Sequence, residues 1–577
     1  MPGPARWFGD KLVAAVKAGD VSESRVDDAA ARLIRLILRT GVLDGKDKPA
    51  GELRSKRHRE IAARAAEECA VLLKNEAELL PFDARELASV AVIGPNAAAR
   101  RIQGGGSSHV RPGRRTSMLQ AIEELLAGET EVVFAEGGDN EPVPPAARAA
   151  MFSPDEARGS AGLLVEYFAG RGFEAAPFHA GAEREIGKLV STNSMDRVGE
   201  GLGALRWSGW LWPERDGRHE LSLRAPGAGR VLLDGEVLID GATSATYDDW
   251  DVGGHPAPRR IAAVDLVAGR GYSIVVEYIR PEKTAGITWE YVAIGLRQPT
   301  GSIEAAAEMA ARCDAAIVVI GAASISEGEG YDRADLELPG DQNALVEAVL
   351  AANPRTAIVL VGGAPYALPW IDHAPAVLEA WLGGEEGPDA AARILFGRAE
   401  PSGRLPVTFP RRIEDTPAHG WYPGDEKVVY GEGLFVGYRH FDRAPASAMF
   451  PFGHGLTYTR FAYSDLAAPE EAAAGEDVEV AFTLANVGQR SGAETAQLYV
   501  RPRGPSVERP VKELKGFAKV ALAPGELRRV KLTLTARDFS YWDVEAGAWR
   551  VEAGSYDLLI GCSAADIELQ ATVRLVG

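Results

Sequence analysis

Cysteine is scarce, with three in 577 residues: Cys69, Cys313 and Cys562. An odd number, widely spaced and set in apolar surroundings such as ECAVLL, argues against a disulfide framework or a metal-ligand set, so each reads as a buried thiol. Long apolar runs are missing too. No stretch approaches the roughly 18 to 20 apolar residues that span a bilayer, and MPGPARWFGDK lacks the charged and apolar regions of a signal peptide. As written, the chain reads as cytoplasmic with no membrane partner, although an export signal would be lost with any missing amino-terminal segment. Positive charge is in deficit: 63 basic against 82 acidic residues give a net charge of −19, which repels phosphate backbones and anionic surfaces. Nucleic acid is therefore disfavoured as a partner. The nine histidines show no metal spacing, and lone ones such as His454 in FGHGLTY read as structural. Neither metal nor cofactor is expected.

What is present is enough chain for about three to five domains, in an ordinary folded composition of 46% hydrophobic and 25% charged residues. The first 45 or so residues read as helices. In VSESRVDDAAARLIRLILRTG the stripe Val26, Ala30, Leu33, Ile37 is flanked by a Ser22 cap and Gly41. From Arg57 helical stretches alternate with short apolar runs: RHREIAARAAEECAVLLKN as helix, SVAVIG as strand, TSMLQAIEELL as helix, EVVFAEG as strand. That alternation predicts a parallel sheet wrapped by helices. It is interrupted over about 151–299 by short alternating runs, LLVEYFAG, LRWSGWLW, HELSLRA, GRVLLDGEVLID and YSIVVEYI, which predict an inserted β-sandwich with a hairpin turn at Asp234-Gly235. The α/β pattern resumes with SIEAAAEMAARCD and AAIVVIG and ends near Pro410. A proline- and glycine-rich connector follows, and then a second all-β region in which Val478, Val480, Phe482 and Leu484 alternate strictly.

Two loops at strand ends draw attention. GGGSSHVRP (104–112) is glycine-rich but lacks both the dinucleotide fingerprint and a terminal Gly-Lys-Ser/Thr, so it is a poor phosphate cradle; close approach to a neutral ligand stays open. SEGEGYDRADLELPGDQ (326–342) sets Glu327, Glu329, Tyr331, Asp332 and Arg333 directly after the apolar run AAIVVIG. The carboxyl ends of strands in an open α/β sheet are where ligands bind. Taken alone, such an acidic cluster is more readily a solvated or ion-paired surface, with Asp332 paired to Arg333 or to a neighbour. Trp207, Trp210 and Trp212 would stack on sugars if exposed, but alternating aromatics in a sandwich are more often core.

GEGYDR followed by LELPGDQ closely resembles the acid/base loop of glycoside hydrolase family 3, the β-glucosidase family, in the branch with an inserted protective-antigen-type sandwich. VLLKNEAELLPF, VAVIGPNA, AWLGGEEGPDAAARILFGRAEPSGRLPVTFP, GEGLFVGYRHFD, FPFGHGLTYTRFAYSDL, RPVKELKGFAKVALAPGE and FSYWDVEAGAWRVEAGSYDLLIG extend the resemblance, in order, through nearly the whole chain. The resemblance implies a multidomain α/β plus all-β fold: 1–56 a remnant of a barrel's carboxyl-terminal end, 57–150 and 300–410 an α/β sandwich, 151–299 the insert, 411–460 a connector, 461–577 a fibronectin type III-like sandwich. It implies Glu329 as the proton donor to the leaving sugar oxygen, with Glu327 as a competitor. The family's nucleophile, an aspartate in a Ser-Asp-Trp-like motif of a (β/α)8 barrel, has no match. The only Ser-Asp, Ser464-Asp465, belongs to the terminal sandwich. MPGPARWFGDKLVAAVKAG resembles the segment around the eighth barrel strand, so the expectation is a chain that begins at an internal methionine, lacks about 250 barrel residues and is inactive alone. The implied substrate is a small β-glucoside or oligosaccharide. A non-catalytic carbohydrate-binding protein, a separately encoded barrel chain and a homo-oligomer stay open.

Overall fold

The computed structural model describes residues 8–44, 51–105, 110–140, 144–184, 187–191, 202–225, 227–242, 259–280, 289–323, 327–328, 333–422, 424 and 426–577. Residues 1–58 and 59–577 are two separate compact units. In the first, helices α1 (Asp10–Ala18) and α2 (Glu23–Thr40) match the periodicity. The Ser22 hydroxyl accepts the Arg25 N–H at 3.3 Å, and Gly41 closes the helix at φ 64°.

The second unit begins in α3 (Lys56–Cys69), which ends earlier than its sequence suggests. Ala70, Val71, Leu72 and Leu73 were expected to continue it, but β1 (Val71–Asn75) is a strand. No glycine or proline marks the break. Four consecutive buried apolar residues suit a strand with both faces packed, and pairing with the strand Ala376–Glu379 selects it over a further helical turn. Strands β2 (Ser89–Ile93), after which comes the one-turn helix α4 (Pro95–Ala98), β3 (Glu131–Ala135), β4 (Ala315–Gly321), β5 (Thr356–Val361) and β6 (Ala376–Glu379) complete a six-stranded sheet of order β1-β6-β5-β4-β2-β3, parallel except for β1 against β6. Side chains alternate between two cores. Val90, Val92, Ile317 and Val319 face α5 (Met118–Leu125) and α8 (Gly387–Leu395). Ala91, Ile93, Val318 and Ile320 face α6 (Ile303–Arg312) and α7 (Gln342–Ala352).

The outer edge of β1 is not bare. Ala70 O accepts the Gly403 N–H, Leu72 O the Leu456 N–H at 2.8 Å, and Leu73 O pairs with His454 Nε2 at 2.8 Å, so the chain beyond the sheet returns to cover it. His454 also stacks on Phe450 with ring centroids 5.0 Å apart, as a structural histidine does, and burial lowers its pKa.

Between β3 and α6 lie two antiparallel sheets, of seven and four strands, with one common core that includes Phe152, Val165, Trp207, Leu221, Leu223 and Ile294. Asp234 and Gly235, at φ 50° and 86°, make the tight hairpin turn read from Asp-Gly. Trp207 is core, 2% exposed; Trp212 donates its Nε1–H to Ser153 and stacks on Trp210. From Phe461 onward, a three-stranded and a five-stranded sheet enclose a core of Val478, Val480, Phe482 and Leu484, all fully buried. The whole is mixed α/β with separate all-β sheets. Cys69 is exposed and Cys313 and Cys562 are partly buried, all three free, which corrects the expectation of buried thiols. Among the described residues no helix is long and apolar enough to cross a membrane.

Candidate active site

The carboxyl ends of β2, β4, β5 and β6 open on one side of the sheet, and two glycines let them do so. A Cβ on Gly94 (φ 117°) would sit 2.2 Å from Val319 O, and one on Gly321 (φ 141°) 2.0 Å from Val361 O, so neither strand exit admits another residue without moving backbone. Gln342, 1% exposed at the start of α7, accepts the Gly321 N–H at 2.8 Å and returns its own N–H to Gly321 O at 3.0 Å. The chain leaves β4 in a fixed direction into the acidic loop.

Glu329, Tyr331 and Asp332 lie outside the described residues. Glu327 and Arg333 are described. The Glu327 side chain is 12% exposed. Its two carboxylate oxygens receive the Gly363 N–H at 2.9 and 2.8 Å, and Oε1 also receives the Tyr366 hydroxyl at 3.1 Å. Arg333 Nη1 lies 4.0 Å from the same oxygen. The backbone carbonyl of Glu327 accepts the Gly105 N–H at 2.9 Å. The glycine-rich loop after β2 thus meets the acidic loop: a Cβ on Gly104 would stand 3.4 Å from Glu327 O. The rest of that loop, 106–109, is outside the described residues.

Two groups absent from the sequence reading complete the cluster. Tyr366, 1% exposed, supports the Arg333 guanidinium 4.6 Å above its ring, and burial, with the Glu327 charge, raises its pKa, so it remains a donor. Glu379, the last residue of β6, is fully buried. Burial raises its pKa well above the ordinary glutamate range; the Trp381 N–H, which it accepts at 2.9 Å, pulls the other way, and the Glu327 charge adds to the rise. Its Oε2 has no hydrogen-bond partner among the described residues. A signal for Glu379 did exist: a lone carboxylate closing the apolar run AVLE is an unusual resident of a buried strand. Gly363 and Tyr366 offered none, because their part depends on β4 and β5 being neighbours.

Trp381 holds a left-handed backbone, φ 55°, and donates its indole N–H to Cys69 O at 3.1 Å. Such strain persists only where surrounding structure over-determines it, and it collects at functional sites. Ser464 and Asp465 sit exposed on a strand of the carboxyl-terminal sheet, as expected. Among the described residues no group of three or more His, Cys, Asp or Glu could hold a metal ion.

The chain as a whole has counterparts among known proteins. Residues 70–458 match the glycosyl hydrolase family 3 C-terminal domain, and 494–564 a fibronectin type III-like domain. A β-glucosidase of Rhizobium radiobacter is 37% identical over 594 residues, covering 100% of this chain and 70% of the relative. β-Glucosidase B of Emericella nidulans is 33% identical, again over 100% and 70%. The crystal structure of a β-glucosidase from Kluyveromyces marxianus in complex with glucose superposes with a TM-score of 0.85 at 30% identity, covering 100% of this chain and 70% of that one. A β-glucosidase from Streptomyces venezuelae in complex with D-glucose gives 0.68 at 29%, over 99% and 67%. With a family match over more than half its length and relatives of this identity along all of it, the chain belongs to glycosyl hydrolase family 3, a family of glycoside hydrolases.

Proposed function

We propose that this glycoside hydrolase cleaves terminal β-linked glucosyl residues from small glucosides or short oligosaccharides, with Glu329 as the acid that protonates the leaving oxygen and as the base that then activates water. In a retaining mechanism a second carboxylate, about 5 to 5.5 Å from the first, attacks the anomeric carbon to form a glycosyl-enzyme intermediate, which water hydrolyses. The observation that carries the assignment is the engagement of Glu327. Of the two glutamates in the loop, it has its oxygens taken by the Gly363 N–H and the Tyr366 hydroxyl. A general acid needs a proton directed at substrate, and Glu329 is the carboxylate left for that task. No residue of the 577 carries the family's Ser-Asp-Trp-like nucleophile motif.

We also read the two sheets between β3 and α6 as an inserted sandwich of protective-antigen type over about 151–299, interrupting an α/β domain of 57–150 and 300–410, with 411–460 a connector and 461–577 the terminal sandwich. An insert of that kind overhangs the pocket in the family branch it resembles and favours short substrates.

Release of 4-nitrophenol from its β-D-glucoside tests the reading. The 577-residue chain alone is expected to give negligible turnover. Combined with a (β/α)8 barrel carrying the nucleophile motif, it should hydrolyse the substrate, and Glu329→Gln should lower that rate by about 10²–10⁴-fold, most of all for poor leaving groups. Turnover indifferent to Glu329→Gln rules out Glu329. Ordinary turnover by the chain alone, abolished by Glu329→Gln, keeps the acid and removes the need for a barrel. Sugar binding without turnover in either preparation favours a non-catalytic carbohydrate-binding role.

A further inference from the structure

We propose that the cavity between the segment 406–417, the one-turn helix Tyr438–Phe441 and Phe452 is a binding site for a single-ring aromatic carboxylate. Its volume is about 370 Å³, within the range of small-ligand pockets. None of its lining residues belongs to the cluster around Glu327, so the proposal stands apart from the reading of Glu329. Pro406, Pro410, Pro417, Tyr438, Phe441 and Phe452 give it apolar walls. Tyr438 and Phe452 are stacked with ring centroids 4.9 Å apart. Tyr499 stands edge-on to Tyr438 at 6.0 Å, and the Tyr438 hydroxyl accepts the Leu514 N–H at 2.8 Å, so that ring is fixed from two more directions. The mouth lies at Val407 and Val436, 43% and 42% exposed. Proline and aromatic faces already held in place suit a flat ring, because little ordering remains to be done on binding. They do not suit a pyranose, whose hydroxyls would stand unpaired against three prolines.

Arg439 also lines the cavity and supplies the charge. Among the described residues its guanidinium makes one hydrogen bond, to Glu513 Oε1 at 3.3 Å. Glu513 is shared: its Oε2 lies 3.4 Å from Lys515 Nζ and 3.8 Å from Arg509 Nη2. Lys512 pairs with Asp442. In these pairs four cations divide two carboxylates, on a chain whose net charge is −19. Arg439 therefore keeps donors for a further anion, and a guanidinium donates two parallel bonds to a planar carboxylate. One wall group lacks a partner as well. Thr408, 7% exposed, lines the cavity, and its hydroxyl has no hydrogen-bond partner among the described residues. A buried hydroxyl of that kind calls for a partner, and a ligand oxygen supplies one.

Benzoate added to the 577-residue chain, followed by saturation-transfer NMR, tests the site. A ligand of this size should bind with a Kd on the order of 10⁻³ M or below. Arg439→Met should weaken binding about 10–100-fold, the effect of a lost charge-assisted bond. Glu513 keeps Lys515 and Arg509 in that variant, so no carboxylate is stranded. Benzyl alcohol, a ring without the charge, should bind wild type as weakly as benzoate binds Arg439→Met. Val436→Trp closes the mouth from an exposed position; it should abolish transfer with the melting temperature unchanged, and it serves alone if Arg439→Met folds poorly. Absence of transfer at about 10 mM benzoate, ten times the expected Kd, overturns the proposal. So does an equal Kd in wild type and Arg439→Met, or transfer that survives Val436→Trp. Displacement of benzoate by D-glucose overturns it too, by moving the ligand to the sugar site.

Discussion

Glutamine at position 379 should be nearly silent at mildly acidic pH and stabilising relative to wild type as the pH rises. Glu379 is fully buried, and of its two oxygens one accepts the Trp381 N–H at 2.9 Å. Glutamine keeps the shape and that acceptor, a bond of about 1 kcal/mol, so the change near pH 5 should stay within about 1 kcal/mol. Glu379→Ala discards the bond and leaves a hole, at about 2–4 kcal/mol. Burial holds the Glu379 pKa above its unfolded value. The folded form therefore binds the proton more tightly, and the stability this confers is complete below the unfolded pKa and is lost as pH rises towards the folded one. Across that window wild type should lose about 1.4 kcal/mol per pH unit relative to Glu379→Gln. Urea titrations from pH 5 to 8, followed by tryptophan fluorescence, measure the difference on the transition that melts the α/β sheet. A gap that stays constant with pH, or a glutamine penalty above about 3 kcal/mol, would refute a neutral buried carboxyl.

Glu400 offers a second pH handle, because burial pushes its pKa up to about 7 against the pull of the Tyr458 N–H, at 2.6 Å, and of Arg490. The same sign applies: its contribution fades as pH rises from about 4 to 7, so Glu400→Gln should remove up to about 3 kcal/mol of pH dependence, read as a flatter melting temperature between pH 5 and 7.5. The Arg404–Glu494 pair, 2.7 Å apart with side chains 8% and 7% exposed, joins the end of the α/β region to the terminal sheets. Arg404→Met strands a buried carboxylate and should cost about 3–5 kcal/mol in thermal unfolding, while Arg404→Met with Glu494→Leu should recover most of it. A double variant no better than the single would refute that account.

Much of the fold was legible because apolar runs of the right length declare buried strands. SVAVIG, AAIVVIG and TAIVLVGG all became sheet strands, and the alternation of Val478 to Leu484 became a sandwich core. What failed was a boundary. Cys69 to Val71 carries no turn residue, and the change from helix to strand is imposed by β6, some three hundred residues later. The site was half legible. A carboxylate loop at a strand end can be read from order along the chain, but which glutamate is tied down depends on a backbone N–H at Gly363 and a hydroxyl at Tyr366, brought near only when β4 pairs with β5. Tertiary neighbours decide that, and a linear pattern does not carry them.

The covering of β1 has a consequence for how separable the parts of this chain are. An unprotected outer strand is a template for other polypeptides, and here its shield is built from Gly403, His454 and Leu456. A fragment ending near Pro410 would keep every strand of the α/β sheet yet present sticky backbone to its neighbours. Cutting the molecule at that apparent seam should therefore yield aggregates, and swaps of the terminal sandwich between relatives should succeed only when the 403–456 strap travels with its own sheet.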